Sequence, residues 1–193
     1  MSIQIVFETH STSTDNEAGV ATGWSDGRLS ERGQRQAVEL GERRRNDGIA
    51  AVFTSDLGRA VETARIAFGG SGIPVHRDPR LRECDYGELT GAPRSVIEEQ
   101  RLRHMDEPFP GGESYRQAVE RVRAFLSDLP AELDGQRIVV VGHAATRWAL
   151  EHLLGGRDLA DLLSAPFEWQ EGWELSLDVP GRGAAPAQRP PRG

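Results

Sequence analysis

The sequence predicts an α/β fold, a single domain built as a three-layer sandwich around a mainly parallel sheet. Three observations carry that expectation. Strand-like apolar runs alternate with helix-like amphipathic runs along most of the chain. The strongest run, Arg137-Ile-Val-Val-Val-Gly142, is apolar at consecutive positions, as a strand covered on both faces requires. At 193 residues, 37% of them hydrophobic, the chain suits one domain with a modest core.

Ile3, Ile5 and Phe7 with Val6 read as a short buried strand that ends where Glu8-Thr9-His10 begins. Thr12 to Gly27 is rich in Ser, Thr, Asp, Asn and Gly and reads as a loop. Ser30 can cap a helix to about Arg45, with Ala37, Leu40 and Gly41 on its inner face. Arg43, Arg44 and Arg45 favour the C-terminal dipole of that helix and read as a solvated surface. Ile49 to Thr54 forms the second strand, after which Ser55 or Asp56 caps a helix through Ala67. Val75 and the segment around Leu81 suggest a third, weaker strand. The connection from Gly91 to Gly112 holds one short helix around Val96 to Arg103, stopped by Pro108, Pro110 and the two glycines. Ser114 and Gln117 form a capping-box pattern for a helix to about Leu129. The 137–142 strand runs into His143 and an apolar helix carrying Trp148, Leu150, Leu153 and Leu154. Phe167 to Val179 adds a hairpin or edge strand, with Trp169 and Trp173 covering the core or, as the alternative, walling the pocket. The domain is expected to span 1–179, and the Gly/Pro/Ala/Arg composition from Pro180 to Gly193 reads as a disordered tail.

Composition narrows the function classes. The net charge of −7 argues against general nucleic-acid affinity, which needs a basic face. All 23 basic residues are arginine, a bias that a high-GC genome accounts for. No apolar run approaches the length of a membrane span, and the Ile3–Phe7 run is too short for a secretory signal. A lone cysteine, Cys84, builds neither an internal disulfide nor a zinc site. A cytoplasmic enzyme or binding domain is expected, without membrane or nucleic-acid partners; a homodimer is compatible with it.

In parallel α/β folds, ligands sit beyond the carboxyl ends of the strands. Two histidines, His10 and His143, follow two separate strands there. A single histidine in such a place is usually structural. A pair that sheet topology can bring together points to chemistry, because imidazole can act as nucleophile, acid, base or metal ligand near neutral pH. Metal binding is the competing reading, and no HxxxH, HxH or CxxC spacing supports it. Neither a metal nor a cofactor is called for.

Further stretches stand in a specific order. Thr9-His10-Ser11 is followed by Asn16, then by Gly23-Trp24-Ser25-Asp26 and Leu29-Ser30-Glu31-Arg32-Gly33. Next come Ser55-Asp56-Leu57-Gly58-Arg59-Ala60-Val61-Glu62-Thr63-Ala64 and Leu81-Arg82-Glu83-Cys84-Asp85-Tyr86-Gly87-Glu88-Leu89-Thr90-Gly91. Gly111-Gly112-Glu113-Ser114 and Val141-Gly142-His143-Ala144 complete the set. Across roughly residues 3–155 this order resembles the histidine phosphatase superfamily, which includes the phosphoglycerate mutases, and the resemblance implies their fold.

It also implies roles. His10 would be the nucleophile and carry a phosphoryl group, and Arg59 would grip phosphate oxygens through its planar fork of donors. His143 would add a donor where charge develops, and Glu83 would protonate the leaving oxygen and then deprotonate water. Thr9, Asn16, Thr22, Gly23, Ala144 and Arg147 would contact the substrate, a small phosphorylated metabolite. The family's Arg-His-Gly motif is Thr9-His10-Ser11 here. Losing one preorganised donor of that kind costs on the order of 10²–10³ in rate. Arg147, one turn beyond His143, and Arg28 are the candidate replacements. Glu113 either touches substrate or sets a helix start. A metal-independent phosphomonoester hydrolase is the first reading. A phosphoglycerate-type mutase and a catalytically weak phosphoester-binding protein are the alternatives, and the short Gly91–Gly112 connection disfavours the mutase.

Overall fold

The computed structural model describes residues 2–178, so the segment expected to be a tail from Pro180 lies outside the described residues, as does the boundary at 179. Five strands form one sheet: β1 (Ser2–Thr9), β2 (Ile49–Thr54), β3 (Val75–Arg77), β4 (Arg137–Gly142) and β5 (Trp173–Asp178). Their order is β3-β2-β4-β1-β5, parallel throughout except for β5, which runs antiparallel to β1 at the edge.

Alternation along the central strands explains the layers. Ile5, Phe7, Ile138 and Val140 face one side, where α5 (Tyr115–Ser127), α6 (Ala144–Gly155) and α7 (Leu159–Ser164) close the larger core. Val6, Val139 and Val141 face the other, packed against α2 (Glu31–Arg44) and α3 (Gly58–Phe68). Two-sided burial is why the apolar run of β4 is continuous. Gly41 lets α2 lie against α3, because a Cβ there would stand 2.4 Å from the carbonyl oxygen of Ala67. The cap at Ser30 and the capping box at Ser114 form as their residue types dictate.

Several local expectations are corrected. The 12–27 segment contains a short helix, α1 (Thr14–Ala18), whose N-terminus is closed reciprocally by Ser13 and Asn16. Leu57, not Ser55 or Asp56, caps α3, and it makes no side-chain bond. The two polar side chains are taken elsewhere: Ser55 by His143, and Asp56 by a bidentate pair with Arg82 at 2.7 and 2.6 Å. The third strand stops at Arg77, and Leu81 lies in a 3-10 turn. The short helix of the 91–112 connection is α4 (Arg94–Gln100), starting just after Pro93. Arg44 is not solvated. It is 7% exposed, with its guanidinium on Glu8 at 2.7 Å and Asp47 at 2.9 Å, which ties α2 to the end of β1. Trp173 joins the core as expected, whereas Trp169 is 59% exposed and stands on the wall of a cavity, the alternative given for it.

Candidate active site

Strand register builds the centre of the site. β1 and β4 are parallel neighbours with Thr9 opposite Gly142, so the next residues, His10 and His143, leave the sheet side by side. The His10 backbone N–H extends the ladder to the Gly142 carbonyl at 2.9 Å, and the two ring centroids stand 5.0 Å apart. β2 ends at the same edge beside β4, which delivers Ser55 and then Arg59 in the first turn of α3.

His10 has an assignable tautomer. Its Nδ1 lies 2.8 Å from the Ser11 carbonyl oxygen, which can only accept, so Nδ1 carries the hydrogen and Nε2 carries the lone pair. Arg59 donates from Nε to that Nε2 at 3.3 Å. Burial, and then the Arg59 charge, push the His10 pKa down to about 3, so the ring is neutral at pH 7. His143 is driven the same way by burial and by Arg59. Its Nε2 sits 2.7 Å from Ser55 Oγ, while Nδ1 is buried with no hydrogen-bond partner among the described residues.

Backbone carbonyls aim the arginine. Gly23 and Ser25 accept from Arg59 Nη2 at 2.8 Å and Nη1 at 3.2 Å. Gly23 adopts φ +52°, and a side chain there would crowd Thr90 Oγ1 at 3.0 Å and the Tyr86 ring at 3.2 Å. Thr63 links the same parts, accepting from the Ser11 N–H and donating to the Arg59 carbonyl. Among the described residues Glu83 is fixed through one oxygen: Oε1 accepts from the backbone N–H of Cys84 at 2.8 Å and of Ala145 at 3.1 Å. The Glu83 carbonyl is braced in turn by the Trp24 indole at 2.6 Å.

These groups open onto a cavity of about 560 Å³. His10, Arg59, Glu83 and His143 line it, together with Thr9, Asn16, Thr22, Gly23 and Ala144. Asn16 is partly occupied by its capping bond to Ser13, and the Thr22 hydroxyl donates to Asp15 at 2.9 Å. Arg147 is a correction. It does not line the cavity; its guanidinium pairs with Glu151 at 3.2 Å and stacks 4.8 and 5.0 Å over Phe167 and Trp173. Arg28 is exposed and also lies off the cavity. Glu113 pairs with Arg121 and accepts from the Asp85 N–H, so it braces the loop after Glu83. Cys84 is buried beside it, as a small apolar side chain would be.

Sequence reasoning missed three features. Ser55 as the partner of His143 was visible only as a motif serine. The Glu8–Arg43–Arg44 group beside Thr9, in which Glu8 and Arg44 are buried, had no local signal, because its members are joined across the fold; burial raises the Glu8 pKa despite both arginines. Arg101 and Trp148 on a further wall were also overlooked as site residues. No helix among the described residues is long and apolar enough to cross a membrane.

Comparison with known proteins identifies the family. The family model of the histidine phosphatase superfamily (branch 1) matches residues 5–170. A 2,3-bisphosphoglycerate-dependent phosphoglycerate mutase of Beijerinckia indica is 36% identical over 167 residues, covering 79% of this chain and 81% of the relative. Among solved structures, Bacillus stearothermophilus YhfR superposes with a TM-score of 0.77 at 26% identity, over 92% of each chain. A mycobacterial glucosyl-3-phosphoglycerate phosphatase in complex with VO3 superposes at 0.73 and 27% identity, over 85% of this chain and 87% of that one. With two histidines brought together by β1 and β4 and the family pattern spanning nearly the whole described domain, the chain belongs to the histidine phosphatase superfamily.

Proposed function

We propose that the protein hydrolyses a small phosphomonoester through a phosphohistidine on His10. One observation carries the reading: His10 is locked by the Ser11 carbonyl with its Nε2 lone pair toward the Arg59 guanidinium. A neutral imidazole so held is a nucleophile without prior deprotonation, and the adjacent cation suits an incoming phosphoryl group. The Nε2 lone pair forms the N–P bond while the P–O bond to the leaving group breaks. Glu83, protonated on the Oε2 that the backbone leaves free, supplies the proton to the departing oxygen. A water then attacks phosphorus and gives a proton to Glu83, and the N–P bond breaks to release phosphate and restore the lone pair. Arg59 and the unpartnered Nδ1 of His143 are the groups available for charge on the transferring oxygens.

Release of inorganic phosphate from a panel of phosphomonoesters, measured in the presence of a chelator, tests this. Turnover is expected, and His10→Ala should abolish it while the circular dichroism spectrum is kept. Equal release by the alanine variant overturns the reading. The names of the curated relatives favour a second reading, a mutase, which predicts phosphoryl transfer between phosphoglycerate isomers without net phosphate release.

A further inference from the structure

We infer that Gln36, on the cavity wall formed by α2, is a positioning residue that holds the ring of His10 in its reactive orientation. The inference rests on the phosphohistidine reading above and assigns what aims the nucleophile. Three successive peptides at the end of β1 are each fixed by a different element. The His10 N–H donates to the Gly142 carbonyl of β4 at 2.9 Å, and the Ser11 N–H donates to Thr63 Oγ1 of α3 at 3.0 Å. The Thr12 N–H donates to Gln36 Oε1 of α2 at 3.0 Å.

The third of these peptides, Ser11–Thr12, carries the acceptor for the imidazole. A trans peptide is planar, and its N–H and C=O point in opposite directions. Holding the Thr12 N–H on Gln36 therefore turns the Ser11 carbonyl toward His10, whose Nδ1–H it accepts at 2.8 Å. That bond leaves the Nε2 lone pair on the Arg59 side. α2 is pressed against the same segment one turn earlier. Ser30 donates its N–H to the Thr12 carbonyl at 3.0 Å, and a Cβ on Gly33 would stand 1.9 Å from that oxygen. Gln36 follows Gly33 by one turn and also lines the cavity. The Thr12 N–H can only donate, so it fixes the Gln36 amide with its oxygen inward. Without an acceptor at position 36 the peptide is free to rotate and its carbonyl leaves the ring. Arg59, at 3.3 Å from Nε2, then holds the imidazole alone. Attack on phosphorus needs the lone pair aimed along one line, so a loosened ring loses rate.

Proton–nitrogen NMR on the full chain at pH 7, where the His10 ring is neutral, reads the Nδ1–H directly. Gln36→Met keeps side-chain length and helix propensity but has no oxygen. It should make the Nδ1–H exchange with water about tenfold faster, the loss of roughly one hydrogen bond. Gln36→Ala should do the same, and its short side chain lets water reach the Thr12 N–H if the methionine variant folds poorly. Gln36→Glu keeps an acceptor and should hold the parent rate within about twofold. In turnover, Gln36→Met should lower kcat/KM about tenfold for alkyl and aryl esters alike, because the nucleophile and not the acid is displaced. Inorganic phosphate should bind within about twofold of the parent, since Gly23 and Ser25 still hold Arg59. An exchange rate unchanged in both Gln36→Met and Gln36→Ala, or raised equally in Gln36→Glu, overturns the inference. A parent without turnover defeats the hydrolysis reading, and the exchange comparison still decides the role of Gln36.

Discussion

Replacing Glu83 by Gln removes a transferable proton and little else. The two backbone bonds to Oε1, from Cys84 at 2.8 Å and Ala145 at 3.1 Å, can be kept by the amide oxygen of glutamine. The amide nitrogen then stands where Oε2 stood, as a donor that can polarise the leaving oxygen but cannot give it a proton. The loss is confined to general acid–base catalysis, which contributes roughly 10²–10⁴ in rate. For an alkyl phosphate, whose alcohol leaves badly without protonation, kcat/KM should fall about 10³-fold, or ~4 kcal/mol of transition-state stabilisation. For p-nitrophenyl phosphate the phenolate leaves unaided, so kcat/KM should fall less than about tenfold, while kcat falls further because water still needs a base. Steady-state phosphate release on the two substrates measures both effects. An equal reduction in kcat/KM for alkyl and aryl esters refutes the acid role and the geometric argument behind it.

Thr9→Arg should raise kcat/KM for unrelated phosphomonoesters about tenfold, since neither Arg147 nor Arg28 lines the cavity and Arg43, which does, is paired with Glu8. A fall on steady-state assay would show that the loop around Ser11 has closed the space instead. Acid should destabilise the fold through the two histidines. Both have folded pKa values below their unfolded value near 6.5, His10 at about 3, so the unfolded chain binds more protons as pH drops below 6.5. Stability is full above pH 6.5 and is lost progressively toward pH 3, by on the order of a few kcal/mol. Melting temperatures across that window should fall less steeply in His143→Gln than in the parent; identical slopes would contradict the assignment.

Strands and their ends were the most legible part of the molecule. β2 and β4 are bounded by abrupt changes from apolar to polar or glycine positions, so pattern alone locates them. Parallel topology then turns two histidines far apart in sequence into neighbours, which is why their pairing was legible in the sequence. What escaped the sequence depends on partners supplied by the fold. Arg44 looks like a solvated helix end until Glu8, 36 positions away, meets it inside the protein. Ser55 and Asp56 are good capping residues by type, yet His143 and Arg82 compete for them and leave the cap to Leu57. Arg147 sits one turn from His143, but stacking on Phe167 and Trp173 and the pair with Glu151 hold it off the cavity. Trp169 carries the same apolar signal as Trp173, and only the path of the chain into β5 separates the exposed residue from the buried one.

The central claim is that phosphorus is transferred to His10 Nε2. Protein mixed with a labelled phosphomonoester and quenched within milliseconds should carry label that is stable to base, labile to acid and localised by peptide mapping to His10. Label on any other residue, or equal labelling of the His10→Ala variant, would contradict the account.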